Sequence, residues 1–145
     1  MGEKKKKYKT GYVPGVFDLF HIGHLNLIRN CKKYCEYLIV GVLSDELAEF
    51  YKGKRPFIPY EERIAIIGAL SDVDQAVRVD FSNTDKIDAW KQLKYDVHFS
   101  GDDHLHDWQE EKIRLQELGA AMEFLPYTKS TSSSQIRRLI ERALV

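Results

Sequence analysis

The chain has 145 residues, enough for one domain with a sizeable core, and 43% of them are hydrophobic against 30% charged. Lysine plus arginine and aspartate plus glutamate both number 22, so no net field gathers nucleic acid or an anionic membrane, and any bound anion must be held locally. No apolar run approaches the roughly 20 residues that span a bilayer, and no hydrophobic region follows the basic Met1-Gly2-Glu3-Lys4-Lys5-Lys6-Lys7 terminus, so neither a membrane partner nor a secretory signal is expected.

Residues 1–8 read as a flexible basic tail, and one domain is expected over 9–145. The first strand is expected at Lys9–Val13. An amphipathic pattern over Ile22–Tyr34, with Leu25, Ile28 and Cys31 three apart, predicts a helix. Cys31 and Cys35 are too close in sequence for a structural disulfide and too few for a zinc site; they read as reduced thiols of a cytoplasmic protein. A second strand is expected at Tyr37–Leu43 and a helix at Tyr60–Leu70, with Ile64, Ile67 and Leu70 on its apolar side. Strands at Val73–Val79 and Asp96–Ser100 follow, then a helix over Trp108–Leu118 that stops at Gly119. A strand at Ala121–Pro126 and a last helix carrying Ile136, Leu139, Ile140 and Ala143 complete the series. This alternation predicts an α/β fold: a single Rossmann-like domain with a five-stranded parallel sheet and helices on both faces. Ligands of such sheets bind outside the carboxyl ends of the strands, where strand order reverses.

Three motifs carry chemistry. Gly15-Val16-Phe17-Asp18-Leu19-Phe20-His21-Ile22-Gly23-His24 joins the first strand to the first helix, where unpaired N–H groups favour an anion. Two histidines three apart can hold phosphate there, bind a metal, or pack in a core. Lys52-Gly53-Lys54-Arg55-Pro56, followed by Tyr60-Glu61-Glu62-Arg63, is either a cationic clamp on a loop or a solvated charged loop. Thr128-Lys129-Ser130-Thr131-Ser132-Ser133-Ser134 opens the last helix with more hydroxyls than capping requires, and reads as a second anion cradle.

Together these motifs resemble the cytidylyltransferase family of the nucleotidyltransferase superfamily, most of all the glycerol-3-phosphate cytidylyltransferases. That family carries a Gly-Thr-Phe-Asp-x-x-His-x-Gly-His stretch, a Lys-x-Lys loop before a Tyr-Glu-x-Arg helix, and a late Arg-Thr-x-Gly-Ile-Ser-Thr segment. The likeness runs from about Tyr12 to Ile140 and takes in Gly101-Asp102-Asp103 and Phe124-Leu125-Pro126. It implies transfer of a cytidylyl group from CTP to a phosphorylated alcohol such as glycerol 3-phosphate, with Mg²⁺ carried by the nucleotide, in a homodimer joined near Ser71–Val77. It implies catalytic roles for His21, His24, Lys52 and Arg63, the last supporting the triphosphate pocket. Nucleotide binding is implied for Gly15, Val16, Phe17, Asp18, His21, His24, Asp102, Tyr127, Thr128, Ser132 and Ser133. Lys54, with Lys52, is implied to hold the acceptor. Two positions depart from the pattern. Val16 replaces the family's Thr, and Tyr127 replaces an Arg that would supply a charge and a bidentate fork.

Other readings stay open beside this one. The His-x-Gly-His signature also marks class I aminoacyl-tRNA synthetases, but the chain has neither their Lys-Met-Ser-Lys-Ser loop nor room for tRNA-binding domains. An adenylyltransferase, or an inactive nucleotide-binding relative, would carry many of the same residues. Asp102-Asp103-His104-Leu105-His106-Asp107 reads as a solvated strand-end loop in preference to a metal site, and His98 as a core residue in preference to a ligand.

Overall fold

Short runs of β-branched and aromatic residues, apolar on both faces, build the parallel sheet that the alternation predicts. The computed structural model describes residues 6–101, 105–126 and 132–144. The elements in order are β1 (Tyr8–Gly15), α1 (Ile22–Tyr34), β2 (Cys35–Leu43), α2 (Asp45–Lys52), α3 (Tyr60–Gly68), β3 (Gln75–Val79), α4 (Lys86–Leu93), β4 (Val97–Gly101), α5 (Gln109–Glu117), β5 (Ala121–Leu125) and α6 (Ser133–Ala143). The five strands lie in the order β3-β2-β1-β4-β5, all parallel.

Adjacent residues of each strand feed opposite cores. Val13, Leu38, Val40, Val97 and Phe99 meet Ile28 and Cys31 of α1 and Ile67 of α3. Tyr12, Ile39, Val79 and Met122 meet Leu47 of α2, Ile87 and Ala89 of α4, and Leu115 of α5. Both thiols are buried, and burial raises their pKa values, to about 11 for Cys35. They pack as small apolar groups.

Two helices have no counterpart among the expected elements. Both are eight residues long, and caps delimit them more than periodicity does. Ser44 accepts the Leu47 N–H at the start of α2, and Gly53 ends it in the left-handed region at φ 74°. Asp85 caps α4 by accepting from Ile87 and Asp88, and Lys94 ends it at φ 51°. Lys52, expected on a loop, is therefore the last residue of a helix. Tyr8, expected in the tail, opens β1 opposite Cys35, and the Lys7 ammonium pairs with Glu123 at 2.9 Å.

The strand order reverses between β1 and β4. β1 stays paired with β2 as far as Gly15, opposite Val42, whereas its pairing with β4 runs only through Gly11 and Tyr12. Pro14 has no N–H to offer a ladder. The central strands thus part toward their carboxyl ends, which is where a doubly wound sheet binds ligands.

Close approach at the sheet centre makes a sharp prediction. A Cβ on Gly11 would lie 2.5 Å from the Phe99 ring and 2.9 Å from the Cys35 sulfur, whereas one on Gly68 would meet nothing nearer than 3.9 Å. Gly11→Ala should destabilise the protein by about 1–3 kcal/mol, and Gly68→Ala, in a helix, should stabilise it by roughly 0.5–1 kcal/mol. Urea unfolding of the two variants should give shifts of opposite sign.

Candidate active site

Three segments meet beyond the carboxyl ends of the central strands: the β1–α1 loop, the end of α2 with the 53–58 flap, and the start of α6. They bound a cleft of about 150 Å³ lined by Val16, Asp18, Ala48, Lys52, Lys54, Pro56, Ser133, Ser134 and Arg137. That volume suits phosphate groups better than a whole nucleotide, since sites for drug-sized ligands run to about 300–1,000 Å³.

The β1–α1 loop is held under strain. Phe17 and Leu19 adopt φ of 56° and 52°, a region that costs a side-chain-bearing residue about 1–3 kcal/mol. Phe17 is buried, with its ring 5.5 Å from that of His24. Between the two strained residues, Asp18 ties the loop down. Its carboxylate accepts the N–H groups of Phe57 and Ile58, both at 2.9 Å, and the Arg137 guanidinium at 3.2 Å. Its backbone oxygen accepts the Ser133 hydroxyl at 2.7 Å. Asp18, expected among the nucleotide-binding residues, uses its carboxylate here to fasten the flap and α6.

The two histidines cap α1 reciprocally. His21 Nδ1 accepts the Gly23 N–H at 3.0 Å, and His24 Nδ1 accepts the His21 N–H at 3.3 Å. A nitrogen that accepts carries no proton, so the network assigns both neutral rings the Nε2–H tautomer. Both Nε2 atoms face Ser133 Oγ, at 3.3 and 3.4 Å. Because that hydroxyl gives its proton to Asp18, it receives the two imidazole protons. The rings stack at 3.9 Å. Burial, with the charges of His21 and Lys52, pushes His24 down to about 4 against an opposing pull from Asp18; burial also lowers His21. Ser133 and the histidines therefore form no nucleophilic dyad, since the rings present N–H groups where a general base would be needed. They present two neutral donors at one point.

The cations take different places. Lys52 lines the cleft, and partial burial of its ammonium lowers its pKa, with Asp18 opposing and Arg137 assisting. Lys54 also lines the cleft and pairs with Glu141 of α6 at 2.9 Å. Arg63, expected to support the triphosphate pocket, is 1% exposed and is not among the residues that line the cleft. Its guanidinium donates to the carbonyl oxygens of Ile58, Val16 and Leu43 and to Asp45 Oδ1, at 2.7–2.8 Å. Burial alone would raise the Asp45 carboxyl, but Arg63 and the Tyr60 N–H hold it below the ordinary range. Arg63 braces the pocket from behind.

Ser132 caps α6 by accepting the Gln135 N–H at 3.1 Å. Gly15 ends β1, and Val16 supplies the carbonyl that Arg63 holds. Asp102, Tyr127 and Thr128 lie outside the described residues. Arg137 was missed in the sequence. It stands four residues after Ser133, one helical turn on, and that i,i+4 spacing was the signal available. Its guanidinium lies 4.2 Å from the centre of the Phe57 ring.

Two measurements test this arrangement. Histidine side-chain ¹⁵N spectra should show His21 and His24 as Nε2–H tautomers, with His24 titrating near pH 4. Since its folded pKa lies below the ordinary 6.5, the unfolded chain binds more protons in between, so stability should be full above pH 6.5 and fall as pH drops through 4. Removing Arg63 should act on folding: Arg63→Ala should lower unfolding free energy by about 3–5 kcal/mol, the scale for breaking a buried ion pair.

Residues 12–139 match the family described as cytidylyltransferase-like. The chain is 33% identical over 132 residues to FAD synthase of Pyrococcus horikoshii, covering 90% of this chain and 88% of that protein. It is 28% identical over 144 residues to FAD synthase of Thermococcus kodakarensis, covering 98% and 95%. Among solved structures, a lipopolysaccharide core biosynthesis protein from Thermoplasma volcanium superposes with a TM-score of 0.71 at 27% identity, over 86% of this chain and 99% of the other. With the family match spanning nearly all of its length, this chain belongs to the cytidylyltransferase-like family of nucleotidyltransferases.

Proposed function

We propose that this chain moves a nucleotidyl group from a nucleoside triphosphate to the phosphate of a small phosphorylated acceptor, releasing pyrophosphate. An acceptor phosphate oxygen attacks the α-phosphorus; the new P–O bond forms as the bond to the β-phosphate breaks. The attacking oxygen is already anionic, so the step needs no general base. It needs in-line positioning and donors where charge gathers. The observation that carries this reading is a cleft at the strand-order reversal lined by Lys52, Ser133 and Arg137, with both imidazole Nε2 atoms meeting the Ser133 hydroxyl.

In this reading His21 and His24 exchange the Ser133 hydroxyl for a phosphate oxygen. Lys52 and Arg137 neutralise the triphosphate, and Ser132 and Ser133 meet its outer phosphates. Lys54 leaves Glu141 for the acceptor phosphate; an exposed pair of that kind contributes only about 0–1 kcal/mol, so the exchange is easy. The proposed Mg²⁺ would arrive with the nucleotide, held mainly by phosphate oxygens and water.

Two substrate pairs follow from different observations. Relatives named FAD synthase favour ATP as donor and flavin mononucleotide (FMN) as acceptor, and Tyr127 in place of the family's Arg leaves the nucleotide pocket open to that change. The motif likeness to glycerol-3-phosphate cytidylyltransferases favours CTP and glycerol 3-phosphate. We take ATP and FMN as the leading pair.

Pyrophosphate release should be assayed with ATP or CTP, each with FMN or glycerol 3-phosphate. One pair should release pyrophosphate only when both substrates and Mg²⁺ are present; silence in all four would refute the reading. With the active pair, His24→Ala should lower kcat by about two to three powers of ten, the scale for one preorganised donor. Lys54→Ala should raise KM for the acceptor more than for the nucleotide, and equal rises would remove it as the acceptor contact.

A further inference from the structure

Arg137 reaches the cleft from α6, a helix that buries no side chain fully among its described residues, so the guanidinium is placed by what meets it at the cleft. Lys52 lines the same cleft, and the like charges of the two side chains repel. The contacts of Arg137 oppose that repulsion. Its Nη2 donates to Asp18 Oδ2 and to the Arg55 carbonyl oxygen, each at 3.2 Å. Its guanidinium carbon lies over the Phe57 ring, 4.2 Å from the centre, where the negative face of the ring attracts the cation. Phe57 enters this arrangement twice. Its own N–H donates to the same Asp18 oxygen at 2.9 Å, so its backbone and its ring meet one carboxylate–guanidinium pair. The ring remains 38% exposed, so packing in a core does not account for its place. A ring against the flat face of a guanidinium leaves the N–H groups along its edge for phosphate oxygens.

We propose that Phe57 is a positioning residue for nucleotide binding: its ring holds the face of the Arg137 guanidinium so that the N–H edge meets the triphosphate. This rests on the transferase reading above and adds to it a residue outside the cleft lining. Phe57 touches no substrate and acts through Arg137. The flap that carries Lys54 toward the acceptor thereby also orients a cation on the nucleotide side.

The test uses the full chain and inorganic tripolyphosphate with Mg²⁺, which probes the phosphate subsite whatever the base. Phe57→Leu keeps the backbone N–H and removes the π face. By calorimetric titration it should weaken tripolyphosphate binding about three- to tenfold, the scale of one partly exposed cation–π contact, and Phe57→Tyr should retain wild-type affinity. With the active substrate pair, Phe57→Leu should raise KM for the nucleotide and leave kcat nearly unchanged. In an Arg137→Ala background, itself weaker in binding, Phe57→Leu should cause no further loss. A ring that served the fold alone would cause the same loss with and without Arg137, so this comparison separates the two roles even if the thermal midpoint of Phe57→Leu falls. Unchanged tripolyphosphate affinity in Phe57→Leu, or an equal loss in the Arg137→Ala background, overturns the proposal and leaves the transferase reading intact. A wild-type chain that does not bind tripolyphosphate overturns it as well, and pyrophosphate release then decides separately whether the transferase reading stands.

Discussion

Everything at the cleft is anchored through Asp18. One residue, 6% exposed, holds three separated segments. Its carboxylate takes the N–H groups of the flap and the Arg137 guanidinium, and its carbonyl takes the Ser133 hydroxyl. An ionised carboxylate with charge-assisted and backbone partners makes stronger bonds than neutral groups do, which helps offset the two left-handed residues on either side of it. Arg63 completes the brace from the interior, where it joins the carbonyls of Val16, Leu43 and Ile58. The strained loop persists because both sides of it are over-determined.

This bracing sets the chemistry of the imidazoles. Each Nδ1 is occupied by a backbone N–H of the first turn of α1, so each ring offers only a proton to the cleft. Burial keeps the pair neutral. Two neutral N–H donors aimed at one point suit a phosphoryl centre that gathers negative charge, and they suit proton abstraction poorly. Ser133 supplies the acceptor for both partly buried N–H groups, which would otherwise go unpaired.

The sheet and the last helix are held by different forces. The strands are packed on both faces by the two apolar clusters. Among its described residues α6 buries no side chain fully, and Leu139 is 64% exposed. Its ties to the rest are polar: Ser133 to Asp18, Arg137 to Asp18 and to the Arg55 carbonyl, and Lys54 to Glu141. Elements with few buried apolar contacts open at lower free energy than core strands. The cleft thus lies between a rigid wall and two walls held mainly by hydrogen bonds and ion pairs.

The order of elements was legible in the sequence because burial on two faces demands continuous apolar strands and single-sided helices demand a three-to-four spacing. Ile22–Tyr34 could be read to the residue. The short α2 and α4 could not, since eight residues carry too little periodicity to stand out and their caps were the better signal. The motifs were legible too, and with them Lys52, Lys54 and Ser133 of the cleft and the two histidines that meet Ser133. By itself the sequence determined the fold class and the three segments that come together at the cleft. Tertiary structure alone decided which way each charge faces. Arg63 turns inward because four acceptors converge on it, three of them from distant segments, and Arg137 turns toward the cleft because Asp18 draws it there. Those distant partners lie 18 to 119 residues away in the chain, beyond the reach of any local pattern.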